Sequence, residues 1–126
     1  MSSPGCYAKF VLIALFVLTC IFAAPQHSFA NAPKNMTLEY DAASQTLSVT
    51  ITHPSAFPSF HYIKTVVIKK NGNEVSNNKY ENQPDMATYA YKYNVAAAAG
   101  ETLEVTATCS ITGSKTATLT IGGPLK

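Results

Sequence analysis

Residues 46–53, TLSVTITH, give the clearest indication of the fold of this chain. Leu47, Val49 and Ile51 alternate with serine and threonine, so every second side chain is apolar and those between are polar. This period of two is typical of an antiparallel strand that buries one face and exposes the other. His53 continues the phase of the three apolar residues, and we therefore expect its ring to face the interior.

The same alternation, together with the turn residues between segments, predicts six further strands. Residues 101–110, ETLEVTATCS, show it most clearly, with Cys109 on the apolar face. Asn71-Gly72 is a strong hairpin signal, because both residues tolerate a positive φ. The predicted strands are residues 37–40, 46–53, 61–70, 74–80, 87–95, 101–110 and 115–121. Seven short strands without an amphipathic helix indicate an all-β, immunoglobulin-like sandwich.

The beginning of the chain has the features of a secretory signal peptide. Lys9 precedes an apolar run at residues 10–24, which is shorter than a membrane-spanning helix normally requires. Residues 28–30, SFA, have the small-x-small pattern of a cleavage site. We therefore expect residues 1–30 to be removed and residues 31–126 to form one exported domain, periplasmic or extracellular. The alternative is that the apolar run is kept as an N-terminal membrane anchor.

Charge and cysteine content exclude several classes of function. The predicted mature chain holds eight lysines, no arginine and seven carboxylates, so it lacks the arginine-rich basic stripe of a nucleic-acid-binding protein. Small exported domains commonly contain disulfides, but here a single thiol, Cys109, follows the cleavage site. Stability must therefore come from core packing. We expect no stable membrane span after cleavage, and the sequence leaves the oligomeric state open.

Three side chains of the predicted mature chain can bind a soft metal: His53, His61 and Cys109. Successive antiparallel strands run up and down alternately, which places the end of the second strand, the start of the third and the end of the sixth together. We therefore predict that two imidazoles and one thiolate meet there and bind a metal ion. Taken singly, each residue also has an ordinary interpretation, as a hydrogen-bonded core histidine or a small buried hydrophobe.

The sequence around these residues resembles the iron-binding domain of superoxide reductases, the desulfoferrodoxin and neelaredoxin family. The resemblance extends from about Leu47 to Ile121, and it depends on the order and spacing of several short motifs. These motifs are His53-Pro54, His61-Tyr62-Ile63, Asn71-Gly72, and Cys109 followed by Gly113. The family fold is a seven-stranded immunoglobulin-like sandwich, in agreement with the strand pattern.

The resemblance implies a mononuclear, non-haem ferrous centre that reduces superoxide. In the family, four histidine nitrogens surround the iron, a cysteine sulfur is axial and one position is open. His53 and His61 would be two of the equatorial ligands and Cys109 the axial one, while the electron donor is not identified. Two of the five expected ligands are absent, because Thr112 stands where the family has a histidine and residues 31–36 contain none.

Three functions are compatible with this pattern. The first is an exported superoxide-reductase-like iron-binding domain whose activity is either partly retained or lost. The second is a non-catalytic binding or structural module derived from the same fold. The third is a zinc or copper site formed by two histidines and a cysteine, although no His or Met follows Cys109 closely, as blue-copper loops require. A hydrolase is disfavoured, because no nucleophile, histidine and acid occur with a supporting motif.

Overall fold

The computed structural model describes residues 31–122 of the protein. The predicted signal peptide, residues 1–30, lies outside the described residues. Within residues 31–122, seven strands form two antiparallel sheets and there is no helix, which confirms the all-β sandwich. This part of the chain accordingly contains no helix of the length and apolarity needed to cross a membrane.

Each predicted strand is present, with its ends shifted by no more than two residues. The strands are β1 (Asn35–Asp41), β2 (Thr46–Thr52), β3 (Ile63–Lys70), β4 (Asn73–Lys79), β5 (Thr88–Asn94), β6 (Thr102–Cys109) and β7 (Ser114–Thr120). One sheet has the order β1–β2–β5 and the other has the order β4–β3–β6–β7. The predicted hairpin between β3 and β4 turns at Asn71 and Gly72, with φ values of 50° and 84°.

The core lies between the inner faces of the two sheets. In β2, Leu47, Val49 and Ile51 have no exposed area, as their alternation predicted, and the inner residues of β6 are equally buried. Each such side chain contributes about 1.5–3 kcal/mol when it leaves water. Cys109 is a free thiol in this core, so the described residues are stabilised by packing and not by a disulfide.

One end of the sandwich collects three connecting segments, and we call it the rim: residues 53–62 after β2, 80–87 before β5, and 110–113 after β6. Backbone contacts join the segments. The N–H of His53 donates to the carbonyl of Ala87 at 2.9 Å, and the N–H of Ser110 donates to the carbonyl of Tyr62 at 2.8 Å. The rim is therefore a single packed surface built from parts of the chain that are distant in sequence.

Four tyrosines fill the space between the sheets on the β4–β5 side. Tyr89, Tyr91 and Tyr93 share the inner face of β5, and the ring of Tyr80 stacks on Tyr91 with their centroids 4.3 Å apart. The hydroxyls of Tyr80 and Tyr93 are hydrogen-bonded at 2.7 Å. The buried hydroxyl of Tyr91 has no hydrogen-bond partner among the described residues. These rings therefore pack the sandwich and leave one polar atom unsatisfied.

Replacing Tyr91 with Phe tests this arrangement. We expect Tyr91→Phe to leave the free energy of unfolding unchanged or to raise it by about 1 kcal/mol, because it removes a buried, unpaired hydroxyl. Tyr93→Phe is the matched control, and it should lower the same quantity by about 1 kcal/mol because it leaves the Tyr80 hydroxyl without its partner. Urea denaturation of the three proteins measures both effects. An equal loss of stability in the two variants would contradict the assignment.

Candidate metal centre

The structure places His53, His61 and Cys109 together at the rim. One potential ligand atom of each residue lies within 4.8 Å of the others. His53 directly follows β2, His61 precedes β3, and Cys109 is the last residue of β6. Two ligands on opposite sides of one ion are about 4.3 Å apart. Small side-chain movements therefore suffice for all three residues to share an ion.

Burial distinguishes the three side chains. His53 and Cys109 are each 1% exposed, whereas His61 is partly exposed at the start of the third strand. The two imidazole rings meet edge to face, with their centroids 4.6 Å apart. The candidate centre therefore has an inner side formed by His53 and Cys109, and an outer side at His61.

A buried glutamine fixes the orientation of the His53 ring. The Nε2 group of Gln83 donates to the carbonyls of His53 and Asp85, at 2.9 and 2.8 Å, so its Oε1 atom must be the acceptor that faces the ring. This Oε1 lies 2.8 Å from Nδ1 of His53. Nδ1 therefore carries a proton, and Nε2 of a singly protonated ring has the lone pair. Metal-binding histidines are commonly held in this way by an acceptor on the far nitrogen.

His61 offers a nitrogen that nothing else uses. Its Nε2 atom is buried and has no hydrogen-bond partner among residues 31–122. Burial lowers the pKa of His61, and the neighbouring His53 lowers it further, which favours the neutral ring. A neutral imidazole with a buried, unpaired nitrogen is a donor that a metal ion would satisfy.

Two backbone hydrogen bonds fix the position of Cys109 and its sulfur. The backbone N–H of Ile111 donates to Sγ at 3.4 Å, and the N–H of Cys109 donates to the carbonyl of Gly113 at 2.9 Å. The first contact gives the sulfur a backbone hydrogen-bond donor, which helps to fix its position. The second closes the loop after β6 and keeps the sulfur on the inner face.

The donor set fits a transition metal. Two imidazoles and one thiolate suit zinc, copper or iron, and no carboxylate of the described residues belongs to the group. Thr112, in the loop that follows Cys109, is exposed and brings only a neutral hydroxyl. Within residues 31–122, the side chains therefore supply three of the five ligands that the resemblance to superoxide reductases implies.

Two residues that shape this site were not singled out from the sequence. Gln83 lies in Gln83-Pro84-Asp85, whose residues indicate only a break between strands. Asn31 lies at the predicted cleavage point, yet its carbonyl oxygen is 2.9 Å from Nε2 of His53. A lone glutamine in a turn and a backbone carbonyl carry no periodic signal, so only the folded chain reveals their roles.

Comparison with known proteins gives a distant likeness. No family model and no curated protein matches the chain. The superoxide reductase (neelaredoxin) from Ignicoccus hospitalis aligns with 14% identity and a TM-score of 0.46, over 79% of this chain and 89% of that one. A variant of that protein aligns with 15% identity and a TM-score of 0.48, over 75% and 83%. At such values the likeness concerns the fold alone.

Gln83→Met is expected to lower the free energy of unfolding by about 2 kcal/mol, because it keeps the side-chain length but leaves buried groups of His53 and Asp85 unpaired. Tyr89→Phe is the control, since it removes only a 3.4 Å hydroxyl contact to the same glutamine oxygen and should cost less than about 0.5 kcal/mol. Urea denaturation measures stability, and ¹⁵N shifts of the His53 ring report its tautomer. A ring protonated at Nε2 alone would contradict the assigned orientation.

Proposed function

We propose that this chain is an exported, superoxide-reductase-like domain in which His53, His61 and Cys109 bind one ferrous ion. The observation that carries the proposal is the convergence of these three donors at one rim, with a buried histidine nitrogen left unpaired. The motifs that resemble the superoxide reductase family support iron as the metal and superoxide as the substrate. The predicted signal peptide supports export.

Each residue has a distinct task in this proposal. A bound ferrous ion would supply one electron to superoxide, which takes two protons from solvent and leaves as hydrogen peroxide, and an external electron donor would restore the ferrous state. Cys109 would place negative charge on the bound ion through its thiolate, which would favour loss of that electron. His53 and His61 bind as neutral donors, and Gln83 keeps the His53 ring in one tautomer.

The distribution of charge favours an anionic substrate at the rim. Strand register places four lysines and two carboxylates in the half of the sandwich that carries the rim, and three lysines and five carboxylates in the other half of the described residues. The rim half holds Lys34, Lys64, Lys79, Lys115, Glu81 and Asp85. A local excess of positive charge attracts a small anion such as superoxide and increases its rate of encounter.

Zinc is the second candidate, and the number of donors favours it. Catalytic zinc sites commonly use three protein ligands and keep a fourth position for water or substrate. Three N and S donors satisfy this arrangement without the ligands that the iron site lacks. Copper would need a weak axial ligand as well, and Met86 on the rim is 62% exposed. A non-catalytic module is the outcome if no metal binds.

Metal analysis of the purified domain, residues 31–126, tests the proposal. We expect about one iron per chain when the protein is produced without added metal, and a charge-transfer band from thiolate to ferric iron after oxidation. Cys109→Ser and His61→Ala should lose the metal, because each removes a donor. Thr112→Ala is the matched control at the exposed position of the same loop and should keep it. Zinc in place of iron would support the second candidate, and no bound metal would overturn both.

Thr112→His tests whether the site is of the superoxide reductase type. The change restores the family's Cys-x-x-His-Gly motif beside Cys109, so we expect ferrous affinity to rise by at least tenfold and superoxide to be reduced faster. Thr118→His on the exposed face of β7 is the control, because it adds an imidazole away from the rim. Anaerobic iron titration and a superoxide assay give the two readouts. Equal effects of the two variants would contradict the family-type site.

A further inference from the structure

The segment that precedes β1 lies against the candidate metal centre. The carbonyl oxygen of Asn31 is 2.9 Å from Nε2 of His53. Pro33 is buried, and the N–H of Lys34 donates to the carbonyl of Thr52 at 2.8 Å. Residues 31–34 are therefore anchored at the rim, with the Asn31 backbone directed at the site.

Gly113 permits this close approach. A Cβ atom at this position would lie 2.8 Å from the backbone nitrogen of Ala32 and 3.1 Å from its Cβ, distances that real Cβ atoms avoid. Gly113 also has a φ of +90°, which L side chains rarely adopt. The segment before β1 thus packs backbone to backbone against the loop that follows Cys109. Any larger residue at position 113 would push the segment away.

The contact between Asn31 and His53 is unusual in its chemistry. Gln83 Oε1 accepts a hydrogen bond from Nδ1–H of His53, so Nε2 of a singly protonated ring is an acceptor, and a carbonyl oxygen is also an acceptor. Two acceptors at this distance repel unless a positive charge lies beside both. That charge is either a second proton on the ring or a metal ion that both atoms bind.

The separation of the two atoms fits adjacent ligands of one ion. With metal–ligand bonds of 2.0–2.1 Å at a right angle, two donors are about 2.9 Å apart. The observed distance between the Asn31 oxygen and the His53 nitrogen is 2.9 Å. The carbonyl therefore lies where a neighbouring ligand of the same ion would lie, although no side chain in residues 31–36 offers a histidine.

We propose that Asn31 completes the metal site with its own backbone, an inference that rests on the metal-binding function proposed above. The carbonyl oxygen binds the ion beside His53. Cleavage after Ala30 converts the backbone nitrogen of Asn31 from an amide into a primary amine, which binds the same ion and closes a five-membered chelate ring. An amide nitrogen is a poor donor, whereas a free amine with a pKa of about 8 loses its proton readily to a metal.

The added ligands have two consequences. With His53, His61 and Cys109, the amine and the carbonyl raise the number of protein donors from three to five, the number that the resemblance to superoxide reductases implies. The uncleaved precursor has no such amine. High affinity for the metal therefore develops only after the signal peptide is removed, so loading follows export.

Two forms of the domain that differ at the terminus test the amine. One begins at Asn31 and the other keeps Ala30 in front of it, so the folded side chains are the same. The probe is Co²⁺, followed by its thiolate absorption and by competition with a chelator. We expect the form that begins at Asn31 to bind Co²⁺ at least tenfold more tightly. If the two forms bind Co²⁺ with equal affinity, the terminal amine is not a ligand. If Cys109→Ser also lowers the affinity of both forms, the site formed by the three side chains still stands.

Failure of every form to bind Co²⁺ or iron would instead overturn the proposed function, and this inference with it. The N-terminus of the exported protein provides an independent check by intact mass. A mature chain that begins at Asn31 supports the proposal. A chain that begins at any other residue contradicts the proposed chelation by the Asn31 amine and carbonyl.

A glycine pair tests the position of the carbonyl. Gly113→Ala should displace Ala32 and Asn31 and weaken Co²⁺ binding at least tenfold in the form that begins at Asn31. Gly100→Ala is the matched control, because Gly100 has a φ of +88° and open space around it. This variant therefore has the same kind of backbone strain as Gly113→Ala, but its new Cβ atom collides with nothing. Equal affinities in the two variants would overturn the carbonyl ligand. The pair of terminal forms changes no folded residue, so it remains decisive if Gly113→Ala does not fold.

Discussion

The pairing of β3 with β6 is the interaction on which the candidate site depends. It places Ile63 opposite Cys109, and contacts continue beyond the last pair, with the N–H of Ser110 donating to Tyr62 and the N–H of Tyr62 donating to the Ser110 hydroxyl. His61 is therefore held next to the sulfur by backbone geometry. A slip of one residue in this register would turn the thiol of Cys109 away from the core, because side chains alternate between the two faces of a sheet.

Polar groups at the inner side of the site need partners, because each buried donor or acceptor without one costs about 1–3 kcal/mol. Gln83 meets this need for His53 with two hydrogen bonds, one to the ring and one to the backbone carbonyl, and it donates a third to the carbonyl of Asp85. Two buried side-chain atoms of the described residues have no partner, Nε2 of His61 and the hydroxyl of Tyr91. An unpaired atom alone is thus no sign of a ligand. The His61 nitrogen differs because a second imidazole and a thiol lie beside it, whereas the Tyr91 hydroxyl lies among other tyrosines.

The proposals link processing of the chain to its chemistry. Three side-chain donors suit zinc as well as iron, so side chains alone do not select the metal. In the proposed site, the backbone of Asn31 would change this balance, since a carbonyl and a newly formed amine favour an ion with more coordination positions. The close packing of Ala32 on Gly113 and the hydrogen bond from Lys34 to Thr52 hold this backbone in place. A cleavage that creates a terminus at the rim would therefore also create ligands.

The sequence by itself determined the seven strands, the inward phase of His53 and Cys109, and the end of the sandwich where they meet with His61. Alternation with a period of two and turn residues are local signals, and antiparallel order converts them into a shared rim. The contacts of Gln83 and Asn31 with the His53 ring, and the close packing of Ala32 on Gly113, are visible only in the folded chain. These are contacts between loops far apart in the chain, made largely by backbone atoms. Backbone atoms are nearly the same in every residue, so the pattern of side chains in a sequence does not predict these contacts.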